Sequence, residues 1–159
     1  MPKEKYDFAG WVTKNDTRCS DGVVIKHGAF KDNDQKTVPL VWNHNHSEPT
    51  NVLGHVMLHN DEKGVYGYGY FNETDEAKHA KELIKHGDIS AMSIGANRIK
   101  KQGQNVIHGM IYEVSLVLRG ANPGALIETV MAHSDDSVET DNAIIYTGDL
   151  IHSADDISA

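Results

Sequence analysis

The sequence predicts an α+β, mainly β fold: an antiparallel barrel or sandwich that carries at least one substantial helix. Three observations predict this fold. Short apolar or alternating runs recur along the chain, "DEKG" at 61–64 has the composition of a hairpin turn between two such runs, and a single stretch has helical spacing. With 159 residues the chain is long enough to bury the core of one domain.

The predicted strands are short and are bounded by turn residues. Pro39 argues that its strand begins there or lies at a sheet edge, because proline cannot donate to a ladder. In "VYGYGYF" the three tyrosines alternate with Gly67 and Gly69, so we expect another element to pack closely on the glycine face. The predicted strands cover residues 6–13, 38–43, 52–60, 65–71, 89–99 and 106–118.

One segment, residues 74–87, has the pattern of a helix. Thr74 is a cap residue followed by acids in the first turn, and Gly87 follows Lys85 and His86 as a stop signal. Its apolar stripe consists of Ala77, Ala80, Leu83 and Ile84.

Charge divides the chain into a nearly neutral body, residues 1–131, and an acidic tail, residues 132–159. The body carries 15 Lys and Arg against 16 Asp and Glu, whereas the tail carries seven acids and no Lys or Arg. Low hydropathy and charge of one sign predict a flexible tail, although "AIIYTG" at 143–148 could add an edge strand or dock on a partner. Neither part has the basic stripe of a nucleic-acid-binding protein.

Other patterns bear on location. No apolar run approaches 18 residues, so we expect no membrane span. The sequence shows no basic-then-apolar leader, so we expect no signal peptide. Cys19 is the single cysteine, which leaves no internal disulfide and suits a reducing cytoplasm.

The segment "VWNHNH" places His44 and His46 directly after an apolar run. A His-x-His pair on a strand turns both rings to one face, where they could hold a metal with a third ligand such as His55 or His59. Either ring could instead serve as a general base.

Two further predicted strands carry side chains that could act together with one of these histidines. The strand period puts Ser93 on a face with the small residues Ala91 and Gly95. The same period puts Glu113 on a face with Ile111, Ser115 and Val117, opposite Tyr112. A carboxylate among apolar residues needs a partner, and an imidazole suits it.

A hydroxyl, an imidazole and a carboxylate are the parts of a serine nucleophile system, in which histidine takes the hydroxyl proton and the acid orients the histidine. The ordered segments "VPLVWNH", "LGHV", "GDISAMSIG" and "EVSLVLRGANPGA" resemble the prohead (capsid maturation) serine proteases of tailed phages over residues 6–130. That family is related in fold to the herpesvirus maturation protease, assemblin, so the resemblance implies a barrel of the herpesvirus-protease type.

The resemblance implies a serine endopeptidase that cleaves capsid and scaffold proteins, and itself, during prohead maturation. It assigns the histidine to His44, the serine to Ser93 and the acid to Glu113, and it matches an Asn-Pro-x-Ala element to Pro123 and Ala125. It implies no cofactor or metal, the major capsid protein and scaffold segments as partners, self-association, and a location inside the assembling prohead in the host cytoplasm.

Alternatives remain open at several points. His46 could replace His44 as the base, and His108 could replace Glu113, because herpesvirus relatives use a second histidine as third member. Arg119 and the backbone around Gly95 are candidates for the oxyanion donors. A noncatalytic assembly module and a metal-dependent hydrolase are the other two functions that these residues allow.

Overall fold

A computed structural model gives the fold for residues 5–16 and 22–118, and for the backbone of two later strands, 137–140 and 143–153. The strands are β1 Phe8–Lys14, β2 Val24–Ile25, β3 Thr37–Trp42, β4 Val52–Asn60, β5 Gly64–Phe71, β6 Ala91–Gln102, β7 Asn105–Val117, β8 Ser137–Thr140 and β9 Ala143–Ser153. The helix α1 spans Asp75–Lys85, and two 3₁₀ turns cover Lys31–Asn33 and Pro49–Asn51. The mainly β class with one helix is therefore confirmed.

The described strands form one mixed sheet in the order β2-β7-β3-β4-β5-β1-β9-β6-β8. A further pairing between β6 and β7 links distant positions of that order. The sheet consequently curls, and seven strands follow one another in a circuit of hydrogen-bonded neighbours. Most pairs are antiparallel, but β3 runs parallel to β7, as does the short β2. The parallel pair matters for function because it places the end of β3 beside the end of β7.

Pro39 is accommodated near the start of β3. The strand lies between β4 and β7, but its pairing with β7 covers only residues 40–42. Pro39 precedes that stretch, so its missing N–H removes no bond from the parallel ladder. The prediction of a strand start fits, whereas an edge strand does not.

Helix α1 forms where the sequence predicts it. The Thr74 hydroxyl accepts a hydrogen bond from the backbone N–H of Ala77 at 3.1 Å, which caps the first turn. Gly87 ends the helix with a left-handed backbone, φ 80°. Ala77 and Ala80 are buried in the core, with Leu83 and Ile84 packed against it.

The glycine face of β5 packs closely on its neighbours, as predicted. A Cβ added to Gly67 would lie 2.8 Å from side-chain carbons of both Val12 and Val56. A Cβ on Gly69 would collide with the ring of Phe8. Only glycine therefore lets β1 approach β5 at these two positions.

Two strands lie within the segment that composition marks as an acidic tail. β9 pairs with residues 8–10 of β1 and with residues 91–96 of β6, and β8 pairs with residues 99–102 of β6. Of the two possibilities for 143–148, the structure has a strand, placed between two others rather than at an edge. The boundary at 131 and the flexibility of the other tail residues stay predictions.

Within the described residues, no helix is both long and apolar enough to span a membrane.

Candidate active site

The pairing of β6 with β7 brings two candidate side chains to one face. Ser93 is the partner of Ser115, and Gly95 is the partner of Glu113. Directly paired residues on antiparallel strands project to the same side, so Ser93 and Glu113 share a face. The other face of these strands belongs to the hydrophobic core, which includes Met92, Ile94, Val114 and Leu116.

His44 reaches this face from a turn at the end of β3. Asn43 and His44 both have left-handed backbones, with φ values of 49° and 57°. Such conformations cost roughly 1–2 kcal/mol per residue outside glycine and are typical of functional sites. The N–H of Asn43 donates to the carbonyl of Leu116 at 3.0 Å, which ties the turn to β7.

The three side chains form a continuous chain of hydrogen bonds. His44 Nε2 lies 2.8 Å from Ser93 Oγ, and His44 Nδ1 lies 2.5 Å from Glu113 Oε1. A carboxylate only accepts, so the Nδ1 proton belongs to the bond with Glu113, and this leaves Nε2 as the acceptor for the Ser93 hydroxyl. That tautomer is the one a general base requires.

Glu113 is more deeply buried than His44. Glu113 and Ser93 each expose 1% of their surface, whereas the His44 side chain exposes 14%. A carboxylate buried this deeply needs hydrogen-bond donors. His44 Nδ1 supplies one donor, and the Ser115 hydroxyl donates to Glu113 Oε2 at 3.0 Å. Glu113 therefore has the imidazole partner that the sequence predicts.

Tyr112 lies beside the same carboxylate. Burial raises the pKa of Tyr112 above its usual value, and the negative charge of Glu113 raises it further. The phenol therefore stays neutral at neutral pH.

The faces of β7 differ from the prediction at Tyr112 and Ile111. A Cβ on Gly95 would lie 2.7 Å from Glu113 Oε1 and 2.8 Å from Tyr112 Cζ, so both side chains border Gly95. Ile111 lies in the core and pairs with Ala96. The cause is a register shift between Gly95 and Ala96, since an extra residue on β7 puts its alternation out of phase.

The other histidines that the sequence offers as a base, a third member or a metal ligand occupy other positions. His46 Nε2 lies 3.4 Å from Glu113 Oε1, with half of its side chain exposed. His108 lies 3.9 Å from Asp32, and His55 stacks on Tyr70. His59 contacts Asp34 and Gln35. Within residues 5–16 and 22–118, no group of three or more His, Cys, Asp or Glu side chains is arranged to hold a metal ion.

Some sequence candidates cannot be located. Arg119, Pro123 and Ala125 lie outside the described residues, as does Cys19. Conversely, the contacts of Ser115 were not anticipated from the sequence. Its position two residues after Glu113, on the same face, was the available signal.

A partly open pocket of about 310 Å³ lies between helix α1 and the 3₁₀ turn Pro49–Asn51. Its walls include Trp42, Leu53, Ala80, Leu83 and Ile89, which belong to the core or pack against it. Ser93, His44 and Glu113 do not line it. The hydrogen-bonded chain therefore lies outside this pocket.

Comparison with known proteins identifies the family. A family model described as caudovirus prohead serine protease matches residues 4–140. The chain belongs to this family. No curated protein and no solved structure matches the chain.

Membership assigns the chain to the serine peptidases of phage maturation. The prohead proteases act within the assembling capsid, on capsid proteins. The matched region contains every described strand through β8, and it ends three residues before β9 begins.

Proposed function

We propose that this protein is a serine endopeptidase that cuts capsid and scaffold proteins, and its own chain, during prohead maturation. Ser93 is the nucleophile, His44 serves first as general base and then as general acid, and Glu113 is the carboxylate that orients the imidazole. The observation that carries the proposal is the unbroken chain of hydrogen bonds from Ser93 Oγ through His44 to Glu113. This arrangement supports the proposal, because an activated serine needs a base within hydrogen-bond reach and a group that orients the base.

In the first half of the reaction, Ser93 Oγ forms a bond to the scissile carbonyl carbon while its proton passes to His44 Nε2. The carbonyl oxygen becomes an oxyanion, and Glu113 stabilises the imidazolium through Nδ1–H. When the tetrahedral intermediate collapses, the C–N bond breaks and the leaving amine takes the proton from Nε2. The acyl group then remains on Ser93.

In the second half, a water molecule gives its proton to His44 Nε2 and attacks the acyl carbon. Collapse of the second intermediate breaks the bond to Ser93 Oγ, which recovers the proton from the imidazolium. Glu113 keeps the same hydrogen bond throughout, so its role is to hold the tautomer and the ring direction.

The fold and the family support the finer parts of the proposal. We assign the curled sheet to the herpesvirus-protease type, since it is mainly β with one helix and the reacting residues come from separate strands or strand ends. The substrates are the major capsid protein and scaffold segments, and copies of the enzyme associate inside the assembling prohead in the host cytoplasm. The prohead protease family supports this setting.

A fluorophosphonate probe tests the proposal without knowledge of the cleavage site. The purified chain should gain one adduct, which peptide mass spectrometry should locate on Ser93. Ser93→Ala should gain none, while the matched variant Ser90→Ala should react like wild type. An unlabelled wild type would favour a noncatalytic assembly module, and peptidase activity lost on EDTA treatment would favour a metal-dependent hydrolase.

A further inference from the structure

Ser115 is a fully buried hydroxyl in the candidate site to which the proposed mechanism gives no role. It lies on β7 directly opposite Ser93 and two residues after Glu113. Its Oγ donates to Glu113 Oε2 at 3.0 Å and accepts the backbone N–H of His44 at 2.8 Å. The same oxygen lies 3.2 Å from His44 Nδ1, so its donor and both acceptor positions face the candidate residues.

The bond to the His44 backbone holds a conformation that the chain does not prefer. Left-handed backbones at Asn43 and His44 persist only where the surroundings hold them. Ser115 Oγ and the Leu116 carbonyl are two fixed points on β7 that do so. Because the Cα–Cβ direction follows the backbone, this anchoring sets where His44 Nε2 lies relative to Ser93.

The bond to Glu113 fixes the rotation of the carboxylate. With Oε2 held by Ser115, Oε1 is directed towards His44 Nδ1. His46 Nε2 lies 3.4 Å from that same oxygen and can compete for it. Without the Ser115 donor, the carboxylate could turn towards the more exposed imidazole and weaken its alignment with His44.

We propose that Ser115 is a positioning residue that holds His44 and Glu113 in register with Ser93 through a single hydroxyl. It acts through these two residues and not on the substrate. The inference rests on the proposed function, since it assigns the source of alignment for the same hydrogen-bonded chain.

The test compares rates of fluorophosphonate labelling at Ser93. Ser115→Ala should lower the rate on the order of 10²-fold, since a displacement of about 1 Å in a reacting group has an effect of that size. Ser115→Thr keeps the hydroxyl and should recover most of the rate. If Ser115→Ala melts below the assay temperature, Ser115→Cys replaces it, because a thiol forms only weak hydrogen bonds.

Thr13→Val is the matched control. The Thr13 hydroxyl is buried on β1 and has no hydrogen-bond partner within the described part of the chain, so its loss should change neither labelling nor folding. A purely structural role for Ser115 would lower the melting temperature and leave the rate of the folded protein unchanged.

A spectroscopic measurement separates alignment from stability. The His44 Nδ1 proton, bonded to Glu113, should give a low-field proton NMR signal that persists in Ser93→Ala and is lost or shifted in Ser115→Ala. The inference alone would be overturned if wild type labels at Ser93, Ser115→Ala labels within two-fold of the wild-type rate, and its low-field signal is unchanged. Absence of labelling at Ser93 in wild type would instead overturn the proposed function.

Discussion

His44 and His46 approach the same oxygen of Glu113, and His44 also lies within hydrogen-bond distance of Ser93. His44 Nδ1 lies 2.5 Å from Glu113 Oε1 and His46 Nε2 lies 3.4 Å from it. The side chain of His46 is half exposed, whereas that of His44 is mostly buried. These differences favour His44 over His46 as the proposed base.

We therefore expect His44→Ala to lower peptidase activity by a factor on the order of 10³ or more, because it removes the imidazole that accepts the Ser93 proton in the proposed mechanism. The double variant with Ser93→Ala should be no worse than either single variant. His46→Ala is the matched control and should cost far less. A larger loss in His46→Ala than in His44→Ala would move the base by two residues.

Gly95 is the second residue with a specific prediction. An added Cβ would lie 2.7 Å from Glu113 Oε1, and that carboxylate is held by His44 and Ser115. Gly95→Ala should therefore displace Glu113 and reduce activity in protein that still folds. Gly109→Ala, which presses on Phe30 and Ile99 in the core, is the control.

Gly95→Ala and Gly109→Ala should differ in whether activity or stability is lost. Gly109→Ala should lower the melting temperature and keep the specific activity of the folded fraction, because the core lies away from the carboxylate. Kinetics and thermal melts on both variants check the expectation. Full activity in Gly95→Ala would show that Glu113 does not need its present position.

At the scale of the element, helix α1 depends on its cap and packs on β4 and β5, whereas Ser93 and Glu113 lie on β6 and β7. Thr74→Ala removes the acceptor for the Ala77 N–H and should lower the free energy of unfolding by about 1 kcal/mol. Labelling of Ser93 should stay unchanged, and Thr74→Ser should restore stability. Denaturant melts measure the effect, and a loss of labelling would mean that the helix supports the site directly.

Strand β9 gives the second prediction at this scale. It lies within the acidic segment 132–159, yet its backbone pairs with β1 and with β6, the strand that carries Ser93. Deleting residues 143–159 should lower the melting temperature sharply, because both neighbouring strands lose hydrogen-bond partners. Deleting only 154–159 is the control. Unchanged cooperative melting after the longer deletion would support the division of the chain at 131.

At the scale of the whole molecule, the proposed reaction predicts self-processing. A protease that cuts its own chain needs a segment that can reach the active site, and the candidate segments are "HSDD" at 133–136 and "HSADD" at 152–156. Wild type incubated at high concentration should shorten at the C-terminus over time, whereas Ser93→Ala should keep its mass. Intact-mass spectrometry follows both, and an unchanged mass in wild type would remove the tail as a substrate.

The sequence alone determined most of the elements of this protein. Strand and helix periods depend on neighbouring residues, so β4, β5 and α1 were predictable within a few residues, as was the close packing at Gly67 and Gly69. The assignment of His44, Ser93 and Glu113 came from resemblance to a family. Composition left a strand at 143–148 open, because the net charge of a segment does not determine whether its backbone pairs with other strands.

Only the tertiary structure decided how the candidate residues meet. His44 lies 49 positions from Ser93 and 69 from Glu113, and no local pattern reports a contact across such separations. The register of β6 on β7 brings Ser93 and Glu113 to one face, and the shift at Gly95 brings Tyr112 beside Glu113. The left-handed turn at Asn43–His44 and the Ser115 hydroxyl complete the arrangement. Each depends on hydrogen bonds between distant strands, which exist only once the chain has folded.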